Sequence, residues 1–498
     1  MSCPYPIISY EYFLVFVSIE FKPYNFRKTM KNCISLRFLA VTSAVVFFAA
    51  SCTKDVLEQI KPSPSVPDKE TPTAPVKGTA YTLVPDAEGR LIIDGSKSTY
   101  KGGDVLYLKG NFLAVAVMNL SGTAGNPIII TNTNGVVTKI GNPGWNGGSW
   151  AEALKFDNCH YIKVGGESSK ANFILDCSTQ PARDAYFDLV LSKHTDNFEI
   201  QNITIRNGGT GIWAKTDPVK GDPSTHYPNS TMDNLLIHDV SISGTNNEAM
   251  YIGHTATYWD LNANTSYYGD PSGFAASGNY VQPIKWHNVK IYNNDVSNGG
   301  ADGIQTAAID QLEIYNNSVT NWGQQHNTSH NGGILIGGRT TNTNTHDNYV
   351  HDGWGELLQF YGSGENGATH IISNNLFRDN ESGGNDGVSL RGANKAVVQV
   401  LNNTIVRTGG ASLRINGEKG MTAPLIVSGN AFIQPRMSGG VIAPNAYIYT
   451  ENGGSATLGT GDKANTTFAT VSAAGVDGNN FYQPLSGSAL GNSGYRKK

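Results

Sequence analysis

Charge is scarce in this chain. Only 15% of its 498 residues are Asp, Glu, Lys or Arg, and they nearly cancel, leaving a net charge of −4 and a pI near 6.3. No basic face or tail can be drawn from them, which excludes nucleic acid as a partner. Cysteine is scarcer still, at five, and none sits at metal-ligand spacing from a histidine. The apolar run Phe38–Ala50 is too short to span a bilayer as a stable helix. Glycine, by contrast, is plentiful at 57 residues, which suits a protein of strands and turns. The length exceeds that of a usual single domain, but a solenoid grows in one dimension and escapes that limit.

The amino-terminal region reads as targeting rather than fold. Met30 begins a second start, with Lys31 and Arg37, the run Phe38–Ala50, and then Ala49-Ala50-Ser51-Cys52. Small residues before a cysteine that becomes the lipidated first residue are a bacterial lipoprotein signal. Residues 1–29 are then an over-long gene start, 30–51 the signal, and 52–78 the lipidated Cys52 with a tether carrying Pro62, Pro64, Pro67, Pro72 and Pro75. Lys54-Asp55 partly matches the export signals of Bacteroidetes surface lipoproteins, which implies a lipid anchor at the outer membrane or cell surface of a Gram-negative bacterium. After processing, Cys159 and Cys177 remain in the body, either stacked as a disulfide or buried as free thiols.

From residue 79 to 498 one body is expected, organised by a recurring phrase. Alternating apolar residues are followed by a pair: Asn293-Asn294, Asn316-Asn317, Asp347-Asn348, Asn374-Asn375, Asn402-Asn403 and Gly429-Asn430. The last Asn of each recurs at steps of 23, 31, 27, 28 and 27 residues. This period with strand-type alternation marks a β-solenoid. An amide is both donor and acceptor, so identical Asn residues stacked at the ~4.8 Å strand spacing can bond to one another as a ladder. Asn202 and Asp239 are expected to extend it upstream. The phrase resembles the right-handed parallel β-helix family of pectate-lyase-like proteins from about Lys101 onward. That resemblance implies an all-β, single-stranded right-handed parallel β-helix, here of roughly ten coils. Gly103–Gly110, Asn119–Thr123 and Asn126–Ile130 resemble the first coils of chondroitinase-B-like and alginate-lyase-like proteins and are expected to cap one end. Asn480–Ala489 resembles the terminal segment common in β-helix proteins.

Side chains alternate in and out along a strand. With Ile212, Met250, Ile304, Ile334, Leu358, Val388 and Leu413 inward, an outward column follows: Trp213/Lys215, Tyr251/Gly253, Gln305/Ala307, Leu335/Gly337, Gln359/Tyr361, Ser389/Arg391 and Arg414/Asn416. Aromatic faces stack on sugars and cations pair with acidic ones. Trp213, Lys215, Tyr251, Gln305, Arg339, Gln359, Tyr361 and Arg414 are therefore candidate substrate-binding residues. The insertion Thr255–Pro283 adds Tyr258 and Trp259, either as a sugar-binding wall or as rings that pack the loop down; a second insertion covers Thr216–Thr231.

A second column, two residues before the inward positions, holds Glu248, Asp302, Glu356 and Asp386. Asp302-Gly303 and Asp386-Gly387 also read as turn dipeptides, which leaves Glu248 and Glu356 the better candidates. Carboxylates on adjoining coils can bind Ca²⁺ or serve as acid and base, and an inverting hydrolase would need a pair ~6.5–9.5 Å apart, from Glu248 with Asp302 or Glu356 with Asp386. His254, His326 and His330 are candidate bases, each also readable as plain surface. Asn246–Gly253 resembles the chondroitinase-B/alginate-lyase segment whose Asn and Glu bind Ca²⁺, which implies Asn246 and Glu248 as metal ligands; Asp302, from the carboxylate column on the next coil, is the third candidate ligand. Val388–Gly392 is similar to the segment that bears that family's catalytic Arg, here Arg391. Tyr251 stands where the family has Arg, and Gln305-Thr306-Ala307-Ala308 where a catalytic Lys is expected.

The catalytic candidates are thus His254, Glu248, Asp302, Glu356 and Arg391. The expected function is that of a monomeric surface lipoprotein acting on an extracellular, acidic polysaccharide. A lyase is favoured slightly over a hydrolase, and a non-catalytic glycan-binding or adhesive protein is the alternative.

Overall fold

In the computed structural model the described residues are 78–497, apart from 362–366, 381–383, 419, 423–424 and 439–440. Cys52, the signal and the tether up to residue 77 lie outside them. The strands stack into three parallel sheets: sheet I with thirteen strands from Ala80–Leu83 to Thr457–Leu458, sheet II with twelve from Arg90–Asp94 to Ile448–Glu451, and sheet III with twelve from Asn111–Phe112 to Thr466–Phe468. Successive coils visit I, III and II in turn. The chain is a right-handed parallel β-helix. Its twelve-strand sheets make it longer than roughly ten coils, because the stretch expected to be a cap, from Val105–Leu108 to Ile128–Asn132, consists of regular rungs.

The Asn ladder forms at the turn from sheet I to sheet III. Asn294, Asn317, Asn348, Asn375, Asn403 and Asn430 each pass an Nδ2–H to the Oδ1 of the next at 2.9–3.0 Å, and the line ends on Asn465. Each of those oxygens also accepts the preceding ladder residue's backbone N–H. Buried amides are costly unless every group is paired, and a stack of identical ones pairs itself. Upstream the equivalent interior positions are Ile203 and Val240, both fully buried, and the Val240 N–H donates to Asn294 Oδ1. Asn202 and Asp239 therefore do not extend the ladder. They occupy the neighbouring column with Asn293, Asn316, Asp347, Asn374 and Asn402, where φ is +51° to +57°. Asn, Asp and Gly tolerate this left-handed conformation, and Gly429 takes the same place at φ +67°.

In sheet II the expected register holds rung by rung. Ile212, Met250, Ile304, Ile334, Leu358, Val388 and Leu413 are paired neighbours, and all are fully buried. Insertions depart from this frame. Segments from 226 to 283 form a separate four-stranded antiparallel sheet, His226–Tyr227, Tyr280–Pro283, Tyr258–Asp260 and Thr265–Tyr267. Near the carboxyl end, Tyr482, Leu490 and Tyr495 fold back on Leu376, Val406 and Ile433 of sheet III. Cys159 and Cys177 are buried free thiols rather than a disulfide, and burial pushes Cys159 up to about 12. Among the described residues no helix is long and apolar enough to cross a membrane.

Candidate functional site

Trp213, Tyr251, Gln305, Leu335, Gln359, Ser389 and Arg414 lie side by side on the outer face of sheet II. The column is less open than alternation alone implies. Tyr251 is 9% exposed, Gln305 1% and Gln359 5%, because residues from the flanking turns reach over them. The Tyr251 hydroxyl bonds Thr255 at 2.5 Å, and Gln359 Nε2 donates to Asn331 at 2.9 Å and Glu356 at 2.7 Å. Open stretches are the Trp213 end, the place where His330 sits, and the end with Tyr361 and Arg414, where Tyr361 is 52% exposed.

At that place the turn ahead of strand Ile334–Ile336 brings His330 between the acidic residues that precede strands Met250–Ile252 and Ile304–Thr306. His330 Nδ1 lies 3.2 Å from Glu248 Oε1, 3.6 Å from Asp302 Oδ2 and 3.4 Å from Gln305 Oε1. One ligand atom from each of Glu248, Asp302 and His330 falls within 4.8 Å of the others. Asp302 is wholly buried; its Oδ1 accepts the Gly332 N–H, whereas its Oδ2 and the Gln305 Nε2 have no hydrogen-bond partner. Burial pushes the Asp302 carboxyl up to about 6. The Asp302 and Glu248 carboxylates in turn hold the His330 imidazolium up to about 10. Of the three, His330 is the most exposed, its side chain 44% against 11% for Glu248 and none for Asp302.

A cation can be held here, since two carboxylates and an imidazole nitrogen converge. They do not make the Ca²⁺ site implied by the family resemblance. Ca²⁺ takes six to eight oxygens, and Asn246 is turned away: its Oδ1 accepts from Arg183 at 3.0 Å and its Nδ2 bonds Asp184. The donor set is instead that of a smaller ion with a taste for imidazole. The Glu248–Asp302 separation is also shorter than an inverting hydrolase needs, which removes that pair from that role.

Other candidates fall elsewhere. His254 is 1% exposed; its Nδ1 accepts the Ala256 N–H at 3.2 Å, so its Nε2–H donates to Asp217 at 3.1 Å. Burial lowers its pKa to about 4. With both nitrogens engaged it has no lone pair for a sugar proton, and the role of base is corrected to that of a strut for Asp217. Arg391 lies three rungs from Asp302, with its guanidinium 4.6 Å over Tyr361. It therefore does not join the cluster. Glu356 and Asp386 line a separate cavity of about 460 Å³ with Arg414, whose guanidinium is held by Asp386 at 3.2 Å and Glu451 at 2.7 Å. Arg339 is buried, its guanidinium 5.3 Å from the Tyr227 ring, where it supports the inserted sheet. Trp259 packs edge-on against His254 at 5.5 Å, and Tyr258 against Phe274 at 4.8 Å. These two rings hold the insertion down.

His326 stacks on Trp354 at 4.6 Å, so the turn supplies one histidine to the cluster and one to packing. The sequence offered His330 as a candidate without a place; the signal that would have placed it is that Glu248 and Asp302 sit one rung apart with a Gly at the next position, Gly332, leaving room for a side chain.

No protein-family model matches this chain, and neither does any curated protein. Among solved structures, it is similar to a GH136 lacto-N-biosidase from Eubacterium ramulus, at 11% identity and a TM-score of 0.38, over 76% of this chain and 68% of that one. It is also similar to the periplasmic alginate epimerase AlgG, at 9% identity and a TM-score of 0.36, over 74% and 84%. The A-module of the Azotobacter vinelandii mannuronan C-5 epimerase AlgE6 matches at 13% and 0.24, over 79% and 90%. Likenesses this remote say nothing of the chemistry here.

Proposed function

We propose that this chain is a lipid-anchored surface protein that cleaves an acidic extracellular polysaccharide by elimination, with His330 as the proton donor. The anchor rests on the signal and Cys52 in the sequence. The chemistry rests on one observation: a solvent-facing imidazole whose Nδ1 is held by Glu248 and by the buried Asp302. A carboxylate-oriented histidine with its other nitrogen toward solvent is the arrangement of a general acid or base. Held as an imidazolium, it donates from Nε2 to the departing glycosidic oxygen as the C4–O bond breaks, while the C5 proton passes to solvent water and the C4–C5 double bond forms. Its charge offsets the negative charge that builds on the uronate. Hydrolysis by the carboxylates themselves fits less well, since Asp302 is enclosed and cannot reach an anomeric carbon. The His330 imidazolium, rather than Ca²⁺, supplies the positive charge in this reading.

One observation favours a non-catalytic glycan-binding protein instead. Gln305 stands where the family resemblance expects a catalytic Lys, and His254 is closed. A panel of acidic and neutral polysaccharides separates the readings, each tested with Ca²⁺ and with chelator. New absorbance from unsaturated uronates, indifferent to chelation, supports the lyase. Reducing ends without that absorbance mean hydrolysis, and retention with neither signal means a binding protein.

A further inference from the structure

At the opposite edge of sheet II from His330, a cavity of about 890 Å³ opens between Trp213, the turns after neighbouring strands, and the insertion that carries Val219 to Thr225. That volume is in the range of small-ligand sites. Four lining residues can carry positive charge, and three are committed. His160 Nδ1 faces Asp196 at 2.7 Å, Lys193 pairs with Asp157 at 2.8 Å, and His194 Nε2 donates to the Ser224 carbonyl at 2.6 Å. Lys215 differs. Its side chain is 9% exposed, its ammonium lies 4.2 Å from the Trp213 ring and 4.9 Å from the Tyr251 ring, and the nearest carboxylate, Asp217, is 3.6 Å away. That distance is too long for a hydrogen bond, and Asp217 already accepts from His254. Among the described residues, Lys215 Nζ makes no hydrogen bond within 3.5 Å.

A buried ammonium with donors to spare, above aromatic faces, is built to receive an anion on a flat ring. Asp217 pairs with it at 3.6 Å but divides its charge with His254. Asp222 is spent on the Ser224 N–H and hydroxyl, and Glu248, within electrostatic reach of Lys215, is paired with His330 at 3.2 Å. We infer that this cavity is a subsite for a sugar carrying a carboxylate or sulfate, with Lys215 reading the anion and Trp213 stacking on the ring. The inference rests on the polysaccharide reading above but not on its chemistry, because the subsite is separate from His330.

The test is calorimetric titration of the full chain with D-glucuronate, glucose 6-sulfate and glucose. One or both anionic sugars should bind, and glucose at least tenfold more weakly. Lys215→Met should abolish that preference at least tenfold, and Trp213→Leu should weaken the anionic sugar. Should Lys215→Met not fold, competition by added chloride on the wild-type chain provides the second readout, with anionic-sugar binding falling as salt rises. Equal affinity for glucose and the anionic sugars, unchanged preference in Lys215→Met, or salt-independent binding would overturn it. His330→Gln keeps the binding if both proposals hold. Binding through Lys215 with no product from any polysaccharide removes the lyase and leaves the subsite standing.

Discussion

Two columns of polar positions run along this solenoid, one buried throughout and one only in part, and they are built on opposite terms. The ladder from Asn294 to Asn465 repeats one residue, so each amide's needs are met by its neighbour. The stack at the edge of sheet II repeats a position but not a residue: Glu248, Asp302, Gly332, Glu356, Asp386. There the acidic side chains of adjoining rungs cannot satisfy one another; Asp302 Oδ2 and Gln305 Nε2 have no hydrogen-bond partner, and the Oδ2 has only the ion pair with His330 at 3.6 Å. Buried polar groups left unpaired cost stability and persist where something outside the fold uses them. Repetition marks the scaffold, and its interruption marks the place where chemistry can happen.

The largest expected effect breaks the second stack. His330→Gln should lower cleavage by about 10²–10⁴-fold, the usual worth of a positioned acid. It should also lower the melting temperature at neutral pH, because it takes the cation away from the buried Asp302 and from Glu248. The wild-type rate should be bell-shaped in pH. It rises as Asp302 ionises near about 6 and falls as His330 loses its proton near about 10. A rate flat across both limbs would remove His330 from the reaction.

Next comes a matched pair that sets the two stacks against each other. Asn348→Ala deprives the Asn317 amide and backbone N–H of their acceptor and removes a donor to Asn375. It should cost about 2–4 kcal/mol, a small sum of buried unsatisfied groups, read as a lower denaturation midpoint. Asp302→Asn should go the other way. A carboxyl raised from 3.8 to about 6 in the fold contributes stability that is full below its unfolded pKa and is lost as pH rises through about 6. The Asn variant should therefore lack that decline and match or exceed the wild type at neutral pH, while losing activity. Equal destabilisation by both substitutions would erase the distinction between scaffold and site.

The fold was legible because its signal is periodic. The Asn pairs and the alternation in sheet II set both the ladder and the outward register, and one-residue slips are forbidden by the apolar face. The site was legible only where it shares that period. Glu248 and Asp302 stand in a repeated column and could be found; His330 arrives from a long turn, whose path depends on Trp354, Asn331 and Gly332 rather than on spacing. His254 shows the converse failure. Its position after an outward strand looks exposed, but the insertion carrying Trp259 covers it, and an insertion's docking has no period to read. Arg391 was indicated by local resemblance, which ignores how many rungs separate two segments.

The smallest effect concerns the two members of one Asn pair. Asn293 is exposed with φ +57°, and Asn294 beside it is 1% exposed and bonded on both sides. If the first is kept for backbone conformation alone, Asn293→Gly should change stability by less than about 0.5 kcal/mol, since Gly429 already fills the same place. Asn293→Ala should cost about 1 kcal/mol, because an alanine Cβ is strained in the left-handed region. Chemical denaturation of the two variants reads the difference directly. A Gly variant as damaged as the Ala variant would mean that the Asn293 side chain matters in itself. The pair would then no longer divide into a turn residue and a ladder residue, and the period would carry two polar stacks where the fold now needs one.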